Sequence, residues 1–353
     1  MAALRAVSGY LVACGMRFQA MKSRAGVVEV KSATARLRVG SLFSGIGGID
    51  LGFRRAGFDV AWCVEVDPRA RAVLRARFPE AEIYEDIRAV DTKELAKHGK
   101  VDVICGGFPC QDLSVAGKRA GLQGERSGLF YDAMRIVRGL SPAVLLLENV
   151  PGLLTSNQGH DFAAVLREVG EGWGCQEVAW RVLDSQYFGV PQRRRRVFIA
   201  GSSREGCASR ILALEDGGAG DPAARKAKRP IAARNVRGFT SSQFANYREG
   251  VGTLRANGGD LGGGSETLVA EFRNVRMRAS DGKLRELEKR VVRKLTPEEC
   301  ERLQGFPEGW TAVAGAANTT RFRQLGNAVT VNVAEWIARR ARPLFVARSS
   351  IAH

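Results

Sequence analysis

Histidine is scarce in this chain, with 3 in 353 residues, and the 7 cysteines (Cys14, Cys63, Cys105, Cys110, Cys175, Cys207, Cys300) contain no Cys-x-x-Cys pair. A zinc site is therefore not expected, and no other metal is called for. An odd, dispersed set of thiols excludes a disulfide framework and fits a reducing compartment. No apolar run is long enough to cross a bilayer, so no membrane partner is expected. Residues 1–36 are basic and lack a continuous hydrophobic stretch with a clean cleavage site. They read as a disordered or loosely attached extension without a signal peptide, and Met16 and Met21 leave a later translation start open. Acidic residues are also in deficit: 37 Asp and Glu face 54 Lys and Arg, a formal net charge of +17. Such an excess points to a polyanion, of which nucleic acid is the commonest, although a merely basic soluble protein is the plainer alternative. The length and the 45% hydrophobic content suit two domains with a large core.

From Leu37 to Gly201, short β-rich runs alternate with helical spacing. Leu37–Leu42, Val60–Val66, Val101–Cys105, Ala143–Val150, Val178–Leu183 and Val197–Ala200 are the expected strands. Ile49–Ala56, Pro68–Phe78, Leu129–Leu140 and Asp161–Val169 are the expected helices, with Gly57 closing the first and Pro68 opening the second after Asp67. Apolar strands separated by helices predict a parallel sheet covered on both faces. Residues 202–290 then turn rich in Gly, Ala, Arg and Lys with weak periodicity, including the glycine-heavy Asn257–Gly264. This stretch is either a linker or a surface that lays its backbone against a ligand. Patterning returns at Lys294, where Thr296, Pro297 and Glu299 form a capped helix start, and an amphipathic, basic helix is expected at Val329–Ala341.

Three clusters carry chemistry. Phe43-Ser44-Gly45-Ile46-Gly47-Gly48 follows the first strand, where glycines let a ligand approach the backbone and a helix N-terminus favours a carboxylate. The last glycine of the dinucleotide pattern is replaced by Asp50, which favours a cofactor bearing an amino-acid carboxylate over a pyrophosphate. Glu65, about 20 residues on, can pair with ribose hydroxyls, and Asp86 can receive an adenine amine. The alternative is a tight strand–helix turn. In Phe108-Pro109-Cys110-Gln111, proline turns the chain off the sheet and presents a thiol that can be both nucleophile and leaving group. An inert buried cysteine, the reading given to Cys105, is its alternative. Glu148, after five apolar residues, should have a raised pKa if desolvated, which suits proton sharing with a base; a salt-bridged structural glutamate is the alternative. In Gln192-Arg193-Arg194-Arg195-Arg196, strand alternation would put Arg194 and Arg196 on one face, toward the cleft, unless the run is a solvated basic turn.

Taken in order, these pieces resemble the DNA cytosine-5 methyltransferase family over Leu37–Gly201 and Lys294–Arg340. Phe43, Gly45, Gly47 and Gly48 match its S-adenosylmethionine loop, with Glu65, Val66, Asp86, Ile87, Pro109, Leu129, Asn327 and Val329 completing the implied cofactor set. Cys110 matches the nucleophile and Glu148 the cytosine contact, while Arg194 and Arg196 match the two active-site arginines. Gln111, Ser114, Gly117 and Lys118 continue into the catalytic loop. Gln192, with Thr253 and Leu254 in the variable part, completes the implied DNA contacts. Arg302–Pro307 resembles the segment framing the recognition domain, and Gln324–Val329 the final motif. Val66 stands where many members carry a larger residue, and Arg195 where an acid is common.

The resemblance implies a doubly wound, Rossmann-like α/β sheet with a smaller, irregular DNA-recognition domain. It divides the chain into 37–200 (catalytic), 201–320 (recognition, variable part 202–293) and 321–345, which returns to the catalytic domain. It implies methyl transfer from S-adenosylmethionine to C5 of a flipped cytosine in duplex DNA through a Cys110–C6 adduct, without a metal. The expected protein is a cytoplasmic monomer, associated with the nucleoid through DNA, with a separate restriction endonuclease left open as a partner. Lys226, Lys228 and Arg229 are expected to hold phosphates. The alternatives are the same chemistry on RNA and a catalytically silent DNA-binding homologue. A nicotinamide oxidoreductase is disfavoured by Asp50.

Overall fold

The structure is a computed structural model that describes residues 36–109, 128–213, 237–241, 247–249, 267–278 and 284–346. Seven strands form the main sheet: β1 Arg38–Leu42, β2 Asp59–Val64, β3 Glu82–Tyr84, β4 Val103–Gly107, β5 Val144–Asn149, β6 Glu177–Asp184 and β7 Arg195–Ser202. Their order is β3-β2-β1-β4-β5-β7-β6. Strands β3 to β5 run parallel, whereas β7 is antiparallel to both β5 and β6. The expectation of an all-parallel sheet is therefore corrected. Residues 185–194 between β6 and β7 are too few for the helical crossover that a parallel pair requires, so the chain turns straight back.

Alternation buries both faces. Val144 and Leu146 of β5 join one apolar cluster, with Phe198 and Ala200 of β7; Leu145, Leu147, Val197 and Ile199 join the other. The first face is covered by α1 Gly48–Arg55 and α2 Pro68–Arg77, the second by α4 Gly128–Leu140 and α5 His160–Arg167. Asp67 caps α2 by accepting from the Arg69 amide at 2.9 Å, with Pro68 following it, and Gly57 takes φ +87° just past α1. The short β3, α3 Thr92–Lys97 and α6 Cys207–Leu212 were not expected from sequence, being too brief to show a period.

The stretch with weak periodicity contains four strands: β8 Arg237–Ser241, β9 Tyr247–Glu249, β10 Thr267–Arg278 and β11 Leu284–Lys294. They form an antiparallel sheet of order β11-β10-β8-β9. Then follow α7 Pro297–Leu303, α8 Asn318–Asn327, α9 Val331–Ala341 and α10 Pro343–Val346. Thr296 and Glu299 form the expected capping box at the start of α7. Among the described residues, no helix is long and apolar enough to cross a membrane, and no group of His, Cys, Asp or Glu could hold a metal ion.

This final segment is fastened by a buried carboxylate. Glu301 of α7 is fully buried; Oε1 accepts from Arg321 Nη2 at 3.0 Å, Thr311 Oγ1 at 2.5 Å and the Thr311 amide at 2.8 Å. Its Oε2 accepts from the Gly309 amide at 2.6 Å. Removing it would strand the buried donors of Gly309 and Thr311 and leave Arg321 only its second carboxylate partner, Glu298, at 2.7 Å. Glu301→Ala is expected to lower unfolding free energy by about 3–5 kcal/mol, the usual cost of breaking a buried pair from one side. Chemical denaturation checks this, and an unchanged midpoint would refute it.

Candidate active site

Strand order reverses between β1 and β4, and the loops leaving the C-terminal ends of these strands bound a crevice of about 760 Å³. The glycines after β1 serve separate ends. Gly45, at φ +57°, would point a Cβ into open space. Gly47, at φ +82°, precedes α1, and a Cβ there would lie 2.5 Å from the Phe78 ring. A Cβ on Gly48 would lie 2.5 Å from the Val329 carbonyl oxygen. Gly47 is therefore a packing residue; Gly45 and Gly48 line the cleft.

Glu65, just beyond β2, is tied across this loop. The Gly45 amide donates to its Oε2 at 2.7 Å and the Asp67 amide to its Oε1 at 2.8 Å. Burial raises its pKa, and those two amide bonds oppose the rise. Each carboxylate oxygen keeps further accepting capacity. Val66 beside it is 68% exposed, an isolated apolar side chain on the cleft wall. Asp86 receives the Arg88 guanidinium at 2.7 and 3.0 Å, and this hydrogen bonding holds its carboxyl below the usual range. Phe43, Ile87, Pro109, Leu129, Asn327 and Val329 also line the crevice.

Glu148 closes the far side, at the end of buried β5. Its Oε1 lies 2.9 Å from Arg196 Nε, and its pKa is raised by burial despite Arg196 and Arg194 nearby. Facing it on β4 is Gly107, where a Cβ would come within 3.0 Å of Glu148 Oε2. Asn149 Nδ2 donates to the Phe108 carbonyl at 3.1 Å, fixing the chain that leads through Pro109 to Cys110. This anchoring by Asn149 was invisible in sequence, since only tertiary contact shows which carbonyl an amide reaches. Arg71 and Arg323 were likewise missed. Arg71 Nη1 donates to the Val66 carbonyl at 2.7 Å, and Arg323 lines the cleft beside Gln324 of the expected final motif.

The run alternates, with Arg193 and Arg195 exposed, and the two inner arginines stand at different depths while both act electrostatically on Glu148. Arg196 reaches the cleft, whereas Arg194 is 1% exposed, with Nη2 donating to the carbonyls of Gly326 at 3.0 Å and Ala328 at 2.8 Å. Burial, and then repulsion from Arg196, lowers its pKa to about 9. Arg194, just before β7, tethers the returning final segment. Gln192, expected as a DNA contact, is fully buried, with no hydrogen-bond partner for its amide among the described residues. It is enclosed rather than presented to a duplex. Cys110, Gln111, Ser114, Lys118, Thr253 and Leu254 lie outside the described residues, as do Gly117, Lys226, Lys228 and Arg229.

The crevice joins a glycine-built loop to a buried carboxylate paired with arginine, and comparison with known proteins gives the chain that carries it a family. The family model described as C-5 cytosine-specific DNA methylase matches residues 37–214 and 221–342. Type II methyltransferase M2.BsuMI of Bacillus subtilis (strain 168) is 34% identical over 313 residues, covering 85% of this chain and 74% of that protein. Type II methyltransferase M.HpaII of Haemophilus parainfluenzae is 29% identical over 309 residues, covering 82% and 85% respectively. The crystal structure of S. pombe Dnmt2 methyltransferase shares the fold, with a TM-score of 0.59 at 19% identity over 88% of this chain and 99% of that one. A match running from the first strand to the returning last helix places every wall of the crevice inside one pattern, and the chain is a member of the C-5 cytosine-specific DNA methylase family, a DNA methyltransferase with the fold of S-adenosylmethionine-dependent enzymes.

Proposed function

We propose that this protein methylates C5 of cytosine within a short sequence of duplex DNA, using S-adenosylmethionine and a covalent Cys110–C6 adduct on a flipped-out base. The observation that carries the reading is the Glu148–Arg196 pair at a strand end, beside the Asn149-anchored Phe108 that stands two residues before Cys110 in the sequence. The cleft suits the cofactor: Gly45 leaves its wall open, Glu65 offers carboxylate lone pairs, and Val66 offers an exposed apolar face. Asp86, Ile87, Leu129, Asn327 and Val329 would complete its enclosure. When bound, S-adenosylmethionine supplies a methyl group already activated on a sulfonium.

The remaining chemistry falls to the protein. Cytosine C5 is a poor nucleophile while the ring is aromatic. Addition of the Cys110 thiolate to C6 forms a carbon–sulfur bond and moves the ring π-electrons toward C5 and N3. Glu148, its pKa raised by burial, can hold a proton at the N3/N4 edge where that charge develops. Arg196 orients Glu148 and keeps part of its acidity. Loss of the C5 proton through a water-relayed base, with departure of Cys110 as thiolate, restores the ring. Arg194 holds the Gly326–Ala328 backbone that closes the cleft. Residues 201–320 would choose the target, with Thr253 and Leu254 in the recognition region and Lys226, Lys228 and Arg229 on phosphates, while 321–345 return to the catalytic lobe. Gln111, Ser114 and Lys118 would follow the nucleophile onto DNA. One copy suffices for one flipped base, so a monomer is expected to act, separately from any endonuclease.

Base-resolution bisulfite sequencing of DNA from a methylation-free bacterial host expressing this chain tests the reading. Protected cytosines in one short motif, lost with Cys110→Ala, are expected; complete conversion alongside soluble protein would overturn the DNA assignment. Glu148→Gln should slow single-turnover methylation by about 10²–10⁴-fold, the range for a general acid, while leaving S-adenosylmethionine binding intact. An equal loss of cofactor affinity would show that Glu148 is structural instead. Because Arg196 opposes the burial-driven rise at Glu148, Arg196→Met should move the Glu148-dependent limb of the pH–rate profile to higher pH. A limb that stays in place would show the ion pair to be irrelevant to that proton.

A further inference from the structure

Arg71 has no part in the chemistry above, yet it spans the two loops that wall one half of the crevice. The β2–β3 ladder pairs Trp62 with Glu82, Cys63 with Ile83 and Val64 with Tyr84. Its last contact is the Glu65 amide donating to the Tyr84 carbonyl at 3.0 Å. Beyond it, no backbone hydrogen bond joins the two chains among the described residues. Glu65, Val66 and Asp67 then follow β2, Glu85, Asp86 and Ile87 follow β3, and all six line the crevice.

Where the ladder stops, Arg71 takes over. It stands in the first turn of α2, and helical side chains lean back toward the N-terminus, so its guanidinium lies against the residues just before the helix. Nη1 donates to the carbonyls of Val66 at 2.7 Å and Glu65 at 3.1 Å, while Nη2 lies 2.9 Å from Glu85 Oε1. The residue is 8% exposed, and its Nε is buried with no hydrogen-bond partner among the described residues. A cation at a helix N-terminus opposes the macrodipole, and a dry N–H costs stability. Helix stability therefore gives no reason for this side chain; the bridge does.

We propose that Arg71 is a positioning residue for the adenosine half of S-adenosylmethionine, fixing the gap between the Glu65–Val66 wall and the Glu85–Ile87 wall. A guanidinium is a rigid planar fork whose terminal nitrogens serve different partners at a set separation. One nitrogen holds the backbone at 65 and 66, which leaves the second oxygen pair of Glu65 and the exposed Val66 side chain to the crevice. The other holds Glu85, the residue before Asp86. Glu65 and Asp86 are the groups read above as receiving ribose hydroxyls and the adenine amine, so this inference rests on the cofactor reading. Arg71 itself does not line the crevice and acts only through these neighbours. The Glu85 side chain is 67% exposed, so the two carbonyls are the stronger arm of the bridge.

Calorimetric titration of the whole protein with S-adenosylhomocysteine, and with methylthioadenosine as the adenosine half alone, tests this. Arg71→Met should raise Kd about 10- to 100-fold, the range for losing charge-assisted hydrogen bonds, and by the same factor for both ligands. Arg71→Lys keeps the charge without the fork and should lose most of that affinity too. Glu85→Ala should raise both Kd values about two- to fivefold, and should add nothing to Arg71→Met. In methylation assays the loss should appear in KM for the cofactor and leave kcat in place. Full affinity in Arg71→Lys would show that charge alone matters and would overturn the proposal. So would a larger loss for S-adenosylhomocysteine than for methylthioadenosine, which marks a general loosening of the crevice, or additive effects in the double variant. If Arg71→Met fails to fold, Arg71→Lys and Glu85→Ala decide by the same two-ligand comparison. Wild type that binds neither ligand would overturn the cofactor reading, whereas unaltered binding by Arg71→Met would overturn this inference alone.

Discussion

The C-terminal segment lies against the first helix at a distance only glycine tolerates, and the crevice exists because of that contact. A Cβ on Gly48 would meet the Val329 carbonyl at 2.5 Å, and one on Gly52 would meet Ala334 Cβ at 2.6 Å. Trp310 Nε1 donates to the Ile46 carbonyl at 2.8 Å, Gln304 Nε2 to Leu325 at 2.7 Å, and Arg194 to Gly326 and Ala328. Residues nearly 300 positions apart thereby become opposite walls of one cleft. The apolar packing of α9 on α1 supplies the adhesion, and the hydrogen bonds fix the register.

Three buried carboxylates show how environment sorts one functional group into separate roles. Glu301 is saturated by an arginine, a hydroxyl and two amides, which makes it a fastener. Glu148 has an arginine on one oxygen and a glycine opposite the other, which leaves room for a ligand. Asp50 has a thiol on one oxygen and no hydrogen-bond partner, among the described residues, on the other. Burial raises the pKa of Glu148 and of Asp50, because neither receives enough donors to offset desolvation.

Much of the frame was legible without coordinates. The strand-end positions of the glycine loop, Glu65 and Glu148 followed from apolar runs interrupted by polar residues, and the caps at Asp67 and Thr296 from local chemistry. The direction of β7 was not legible, because a fully buried strand reads alike in either orientation and only the short 185–194 connection decides it. The small sheet of β8–β11 was hidden for another reason. Its strands mix charged and apolar residues with no sustained period and without the long apolar runs that marked the central strands.

Alternation does run through the arginine stretch, with Arg193 and Arg195 exposed and Arg194 buried between them, but it could not tell that Arg194 is spent on backbone carbonyls while Arg196 reaches the cleft. What the sequence determined by itself was a set of residue types whose chemistry is local: glycines that clear space, a proline that turns the chain, a thiol, and a glutamate after five apolar residues. Those properties belong to single side chains and their immediate neighbours. Tertiary structure alone decided which of them meet. Glu65 is bound by Gly45, Arg196 pairs with Glu148 while Arg194 seals the final segment, and Asn149 holds the carbonyl before Pro109. Such partnerships depend on strand order and on the return of the chain to its first helix, and distance in sequence carries no trace of either.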